Sequence, residues 1–592
     1  FISYEAKLSD FPWFSNAIYQ DDFFLIYKQR FFLIIAACML VYLIYLLIYK
    51  RNDIKDSKVF IPLAVYAVLS ILSTVFSKYI SYSLTGSYEL FESIFVLLGY
   101  CVAAYYAYLV LNSERDFKYV YYFIVILSLV LGLLGTFQFL GYDFFNSEFG
   151  KNLILPVEFR KYDIVMEMGK GVVYLTLYNP NYVGVIGSLL IPILFIMTLM
   201  YRKLVWTILS FISMVTLSIS VVGSGSLTGA IGIAFSFLFI IILTWRYLIK
   251  YFYITISVIV LLIISLFVIN KVTDNYFVNK IKTAINITKS EPALSSIETK
   301  DDKITIVYNG NQMNIAYAVN AANDIPDDVV AFDENFQPIE STFDINTGVY
   351  TVTDERFSGI TYGLDEEYAG VIFAEIEGKK WRFTNFTEDG TYYYVNGFYK
   401  LDKIVNAPTA FRGYDSFASH RGYIWSRSIP LLKNTLLLGT GPDTFTLVFP
   451  QNDYVGAYHS GYENRIITKP HNMYIQIGVQ TGLLSLIAFI AFYILYFISS
   501  VKLYIRSRFS SFYSIFGLSI FVGTIGYMTS GLAYDSSITT APVFWVLIGC
   551  GIAVNYKARP LIQKEIAELK EKKDKIKEDD NKDMQADAVT QA

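Results

Sequence analysis

Cysteine, histidine and charge are all scarce in this chain: its 592 residues include 3 Cys, 3 His and only 17% Asp, Glu, Lys and Arg. Cys38, Cys101 and Cys550 each fall inside an apolar run, where a small buried side chain is the expected role, so neither a disulfide framework nor a redox centre is indicated. The segments assigned below to the outside contain no Asp-x-Asp motif. His420, His459 and His471 lack helical ligand spacing, so zinc is disfavoured and neither metal nor cofactor is expected. Internal repeats are not evident either, which weighs against a transporter of polysaccharide or lipid-linked oligosaccharide, the alternative function kept in view. The net charge of -3 says little about partners, and no nucleic-acid partner is expected.

What the chain has in abundance is apolar sequence. With 54% hydrophobic residues, a mean hydropathy of +0.43 and runs such as Phe31 to Tyr49, it reads as an all-α polytopic membrane protein. Spans are expected near 31–49, 59–76, 90–111, 118–140, 182–200, 203–222, 227–244, 252–270, 482–504, 512–530 and 541–556. Lys50, Arg51, Lys55 and Lys58 follow the first, Arg115 and Lys118 the third, and Arg202 and Lys203 the fifth. Arg246 and Lys250 follow the seventh, and Lys502, Arg506 and Arg508 the ninth. Those loops are expected in the cytoplasm, whereas Gly223 to Ser226 and Gly531 to Thr540 lack Lys and Arg and are expected outside. This alternation places the N-terminus outside and the C-terminus inside. Because the chain starts at Phe1, a further upstream span is expected, giving twelve where eleven are visible.

Five regions follow: residues 1–270, an N-terminal membrane domain; 271–410, an extracytoplasmic β-rich insertion; 411–481, an extracytoplasmic loop with amphipathic helices; 482–556, the C-terminal spans; and 557–592, a charged cytoplasmic tail read as a solvated helix fading into disorder. In the insertion, stretches such as Lys303 to Tyr308, Val371 to Ile376 and Lys380 to Thr384 alternate with turn signals including Asn309-Gly310 and Asp389-Gly390. Its aromatics Tyr362, Trp381, Tyr392, Tyr393 and Tyr394 are candidates for stacking on sugar rings, against the plainer role of core.

The loop carries the chemistry. Lys469-Pro470-His471-Asn472 puts a protonatable imidazole beside cations at the edge of a span, a costly placement that favours function. A helix beginning at Pro470 would hold His471 in its first turn, where the helix dipole and Lys469 disfavour imidazolium and keep a neutral base. Arg421 and Trp425, four apart, would share one face of a helix to Leu432, kinked at Pro430 and lying along the membrane interface on Tyr423, Ile424 and Leu431. A base for an attacking hydroxyl, with guanidinium charge for departing phosphates, fits glycan transfer from a lipid diphosphate.

The ordered set Arg421-Gly422-Tyr423-Ile424-Trp425, Leu438-Gly439-Thr440-Gly441-Pro442-Asp443-Thr444-Phe445, Pro470-His471-Asn472-Met473-Tyr474-Ile475-Gln476 and Gln480-Thr481-Gly482-Leu483-Leu484 resembles the O-antigen ligase and polymerase superfamily of integral membrane glycosyltransferases. Leu84-Thr85-Gly86-Ser87-Tyr88-Glu89 and Tyr178-Asn179-Pro180-Asn181 extend the likeness. The resemblance implies a GT-C-like helical bundle, no metal, and transfer of a glycan from an undecaprenyl-diphosphate donor to a glycan, lipid or cell-wall acceptor at the outer face of a bacterial plasma membrane, among membrane lipids. On the family pattern His471 is the base or acceptor-orienting group and Arg421 engages the diphosphate, with Trp425, Asn472, Asn179 and Asn181 in the substrate-binding set. The family often has an Arg in a Ser-Arg-Gly-like motif before the seventh span, whereas this chain reads Ser224-Gly225-Ser226. Arg465 and Lys469 are the candidates to replace that cation, with Asp535 orienting one of them. Ligase and polymerase both fit, and the Ile, Lys, Tyr and Asn richness favours a Gram-positive cell-surface polysaccharide. The β insertion is a candidate for acceptor choice or polymer binding.

Overall fold

The computed structural model describes residues 2–5, 11–14, 19–22, 25–49, 58–87, 89–155, 157–162, 164–165, 171–253, 292–318 and 328–590, with scattered positions between 256 and 271. In a bilayer each backbone polar group must be satisfied within the protein, so long apolar runs become helices. Among the described residues nine helices are long and apolar enough to cross a membrane. In chain order the membrane-length helices and one shorter companion are α1 (Ile26–Tyr49), α2 (Ile61–Val75, entered by a turn at Lys58–Phe60), α3 (Ile94–Val110), α4 (Glu114–Phe139), α5 (Pro180–Met200), α6 (Leu204–Ser224) and α7 (Leu227–Lys250). Of these, α3 is the shorter companion. The expected span at 252–270 falls largely outside the described residues.

Two helices follow in the loop region, α8 (Phe417–Ser428) and α9 (Met473–Gln480), and then α10 (Leu483–Tyr504), α11 (Phe512–Ser530) and α12 (Ala541–Thr590). Helix α12 runs without a break through the charged tail, whose Pro560 it accommodates.

Burial sorts the bundle. Helix α1 keeps only Ile26, Gln29, Ala36 and Leu43 buried, rests Phe32 and Leu33 on the core and turns most of its other apolar side chains outward. Cys38 is exposed, whereas Cys550 is buried and Cys101 is partly buried against the core, so two of the three match the expected packed thiol. By contrast α5 and α11, which carry no charged residue, are 94% and 89% buried along their spans and form the centre. Small residues let them meet: a Cβ added at Gly526 would stand 2.1 Å from the Ser188 carbonyl oxygen. Hydroxyls join neighbouring helices at the same level, with Ser530 Oγ donating to Ser188 Oγ at 3.0 Å and Ser236 Oγ to the Val522 carbonyl at 2.8 Å.

The insertion forms two antiparallel meanders. Strands β1 (Leu294–Thr299), β2 (Ile304–Tyr308), β3 (Asn311–Tyr317) and β4 (Val329–Asp333) make a four-stranded sheet in sequence order. Seven further strands between Ser341 and Asp402 make the second, also in sequence order. Asn309 and Gly310, both at positive φ (48° and 77°), form the two-residue turn that pairs Tyr308 with Asn311. The candidate sugar-stacking aromatics are corrected here. Trp381, Tyr362, Tyr392 and Tyr394 are all buried, because alternate strand positions face the core the two sheets share, and Tyr393 is partly buried.

That core also contains Val455 from the short helix Tyr454–His459 of the loop region. Polar ties follow the same path, with Tyr454 Oη donating to Asp402 Oδ2 at 2.8 Å, Lys379 Nζ 2.6 Å from Glu463 Oε1, and His459 Nε2 2.9 Å from the Leu294 carbonyl. The insertion is thereby fastened to the loop that precedes α9.

Candidate active site

Asn472 decides where α9 begins. A helix starting at Pro470 would have used a favoured first-turn proline, but asparagine is the stronger cap, and Asn472 Oδ1 accepts from the backbone N–H groups of Tyr474 and Ile475 at 3.0 Å each. His471 therefore precedes the cap instead of lying in the first turn, with a left-handed backbone at φ 50°. The loop at 531–535 holds it there. Asn472 N–H donates to Asp535 Oδ1 at 3.2 Å, Asn472 Nδ2 to the Leu532 carbonyl at 2.7 Å, and Met473 N–H to the Gly531 and Tyr534 carbonyls at 2.8 Å.

His471 Nδ1 stands 3.2 Å from Asp535 Oδ2. Its ring is 6.0 Å from that of Tyr534, which packs edge-on against Tyr182 in the first turn of α5 at 4.6 Å. Burial pulls the imidazole pKa below its usual value. The Asp535 carboxylate opposes that shift, while the charges of Arg421 and Lys469 add to it. The expected neutral imidazole is thus favoured, but chiefly by desolvation, since His471 lies outside the helix whose dipole was to act on it.

Lys469 is committed elsewhere. Its ammonium lies 3.2 Å from Glu89 Oε2 with the side chain 5% exposed, and Thr468 Oγ1 donates to the same carboxylate oxygen. Tyr178 Oη donates to Glu89 Oε1 at 3.2 Å. Burial would lower the Lys469 pKa, but Glu89 and the other anionic groups around it hold it above the usual lysine range. Asp535 faces the imidazole, and the carboxylate in direct contact with Lys469 is Glu89, with Asp535 acting on that ammonium as a more distant charge. Arg465 is exposed and stands with Arg421 near Tyr462.

Helix α8 supplies Arg421. Ala418, Ser419 and His420 have left-handed φ values of 52°, 59° and 66°, so regular helix starts only at Arg421. Its Nη1 donates to the Ala418 carbonyl at 3.0 Å, while Nε is buried without a hydrogen-bond partner among the described residues. One turn on, Trp425 Nε1 donates to the Pro470 carbonyl at 3.0 Å, tying α8 to the His471 loop. The expected interfacial helix is also corrected. Tyr423 and Ile424 are each 1% exposed and pack on Phe445, Phe449, Ile467 and Val479, because protein and not lipid covers that face. Arg427 is paired on both sides, with Asp415 at 2.6 Å and Asp453 at 2.9 Å.

Two further carboxyls lie beneath. Asp443 Oδ2 accepts from the backbone N–H groups of Ser87 and Glu92 at 2.6 and 3.0 Å, and burial pushes its pKa up to about 7. Burial likewise raises Glu92 to about 8. Its Oε1 accepts from Tyr100 Oη at 2.8 Å and Ser536 Oγ at 2.6 Å, and its Oε2 from Gln476 Nε2 at 3.0 Å. This network links the start of α3 to α9 and to the residue after Asp535. Sequence reasoning gave Glu89, Glu92 and Asp443 no role, although Glu89 and Asp443 end or sit inside the quoted motifs. Left-handed φ values at Glu89 (76°), Tyr178 (70°), Asp443 (59°) and His471 (50°) gather conformational strain around this one centre.

Asn179 caps α5, accepting from the Asn181 backbone N–H at 2.9 Å, and the Asn181 carbonyl accepts from Ser226 Oγ at 3.4 Å. Both are accounted for by helix termini, close to the site through Tyr182. Among the described residues no group of three His, Cys, Asp or Glu is arranged to hold a metal ion.

A family model described as O-antigen ligase matches residues 389–490, from the last turns of the insertion through α8 and α9 into α10. No curated protein and no solved structure gives a match. The matched segment contains Arg421, Lys469 and His471, and it supports a membrane enzyme of the O-antigen ligase or polymerase type.

Proposed function

We propose, from the premise that the segment at 389–490 supports the O-antigen ligase and polymerase family, that this chain transfers a glycan from a polyprenyl diphosphate such as undecaprenyl diphosphate to an acceptor hydroxyl. The observation that carries the reading is the contact of His471 Nδ1 with Asp535 Oδ2 at 3.2 Å, beside an arginine that lacks a carboxylate partner among the described residues. The Asp535 carboxylate, within ion-pair distance of Nδ1 but not aligned as a hydrogen bond, electrostatically favours hydrogen on Nδ1, which leaves Nε2 to accept a proton. The acceptor hydroxyl gives its proton to Nε2 as its oxygen bonds to the anomeric carbon. The bond from that carbon to the phosphate oxygen breaks, and the electron pair leaves with the lipid diphosphate.

Arg421 is the cation assigned to the departing diphosphate, and exposed Arg465 is the candidate second one. Buried Lys469, neutralised by Glu89, is assigned to positioning: it holds the first motif against the His471 loop. Trp425 and Asn472, which bind the backbone of the His471 and 531–535 loops, and Asn179 and Asn181 at the start of α5 are assigned to the substrate-binding set. The basic loops at the far ends of α5, α7 and α10 support an orientation with His471 on the extracytoplasmic face of a bacterial plasma membrane.

The test is transfer in reconstituted membranes with lipid-linked repeat units. His471→Ala and Arg421→Ala are each expected to lower transfer by about 10²- to 10⁴-fold while expression and folding persist. Product ladders of unchanged length and rate in both variants would overturn the reading.

A further inference from the structure

At the end of the bundle opposite His471 lies a cavity of about 1170 Å³. Helix α10, which follows the His471 region, spans about 33 Å at 1.5 Å per residue before it delivers Arg506 and Arg508 to this cavity. Arg202 and Lys203 arrive from the end of α5, and Arg246 and Lys250 from the last turns of α7. Two loops and the end of α7 thus converge six cations on one space. No ion pair joins any of them to a carboxylate among the described residues. The nearby Glu565 is engaged by the Arg508 backbone N–H at 3.3 Å and by the Ser510 hydroxyl.

Aromatic rings hold several of these cations in place: Arg202 lies 4.9 Å and Lys250 5.3 Å from the ring centre of Tyr251, and Arg246 5.3 Å from that of Trp245. Six like charges with only the Glu565 carboxylate nearby repel, and a further anion offsets that cost. We propose that this cavity binds the phosphodiester headgroup of an anionic membrane lipid. Free inorganic phosphate is an anion too but is far smaller than the space. It also leaves unexplained the outward apolar surface beside the cavity, where Trp245 is 50%, Ile249 66% and Ile505 48% exposed and acyl chains can lie. Guanidinium groups from two loops can bind the phosphate oxygens in bidentate fashion while the tails follow those side chains.

The full chain, purified in neutral detergent and equilibrated with mixed phosphatidylglycerol and phosphatidylcholine, tests this by native mass spectrometry of the lipid retained. Phosphatidylglycerol is expected to stay bound in preference to phosphatidylcholine. Arg246→Gln with Arg506→Gln is expected to lower its retention by about tenfold, and the corresponding double Lys variant to keep most of it. Arg202→Gln with Lys203→Gln, on a different loop, is expected to weaken retention as well and serves if the first pair fails to fold. Equal retention of the two lipids, or unchanged retention in both Gln pairs, overturns the proposal. So does stoichiometric binding of inorganic phosphate that displaces no lipid. Because the readout is bound lipid, failure here leaves the glycan-transfer reading untouched.

Discussion

His471 and Asp535 meet across 3.2 Å, although they lie on opposite sides of two membrane-length helices in the sequence. The contact forms because the loop after α11 folds back beneath the cap of α9, where Asn472 and Met473 take its carbonyls and its carboxylate. Asp535→Asn would keep the shape and remove the charge that opposes burial. The imidazole pKa should then fall further below its usual value, and the tautomer preference should weaken. A loss of about 10²-fold or more in single-turnover transfer is expected, with the His471 resonance of histidine-labelled protein titrating at lower pH than in the wild type. Unchanged titration would show that Asp535 does not act on the ring.

Two arginines of α8 should separate by stability. Arg427 is sandwiched between Asp415 and Asp453, and its removal leaves the buried Asp453 carboxylate unpaired. Arg427→Ala should cost about 3–5 kcal/mol and lower the melting temperature in detergent. Arg421→Ala breaks only a bond to a local carbonyl, so its melting temperature should stay near that of the wild type while transfer is lost.

Buried Lys469 and partly buried Glu89 form a pair whose halves are not separately dispensable. Glu89→Gln strands the ammonium and should destabilise by about 3–5 kcal/mol, whereas Glu89→Gln combined with Lys469→Met should recover much of that loss in thermal unfolding. A double variant no more stable than the single one would remove the pair from its positioning role.

Glu92 gives stability a pH dependence of known sign. Its folded pKa, about 8, lies above the ordinary 4.5 because burial disfavours the carboxylate. Its stabilising contribution is therefore complete below pH 4.5 and is lost as pH rises through 8. Glu92→Gln keeps a neutral hydrogen-bonding group, so its melting temperature should hold steady between pH 5 and 8.5 where that of the wild type declines.

Much of this was legible in the sequence. Among the described residues the expected spans from Phe31 to Tyr49 through 541–556 coincide with helices, the one at 252–270 lying largely outside them, because a run of apolar residues in lipid has little choice but to coil. The β hairpin at Asn309-Gly310 was equally readable from its turn chemistry. Which arginine, lysine or aspartate faces which was not, since ion pairs such as Lys469 with Glu89 join residues hundreds of positions apart through tertiary folding alone. Helix α9 starts three residues after the expected Pro470 because proline and asparagine cues compete and the side-chain cap wins. Aromatic alternation in the insertion showed strands but not which face of each strand was covered.

The dependence of glycan-transfer rate on pH tests the central claim most directly. With a neutral His471 as the base, the rate should fall on the acid side with a single-proton limb whose midpoint lies below 6.5, the usual imidazole value, and His471→Ala should abolish the limb together with about 10²-fold or more of the rate. A rate that is flat from pH 5 to 8, or an acid limb that persists unchanged in His471→Ala, would contradict it.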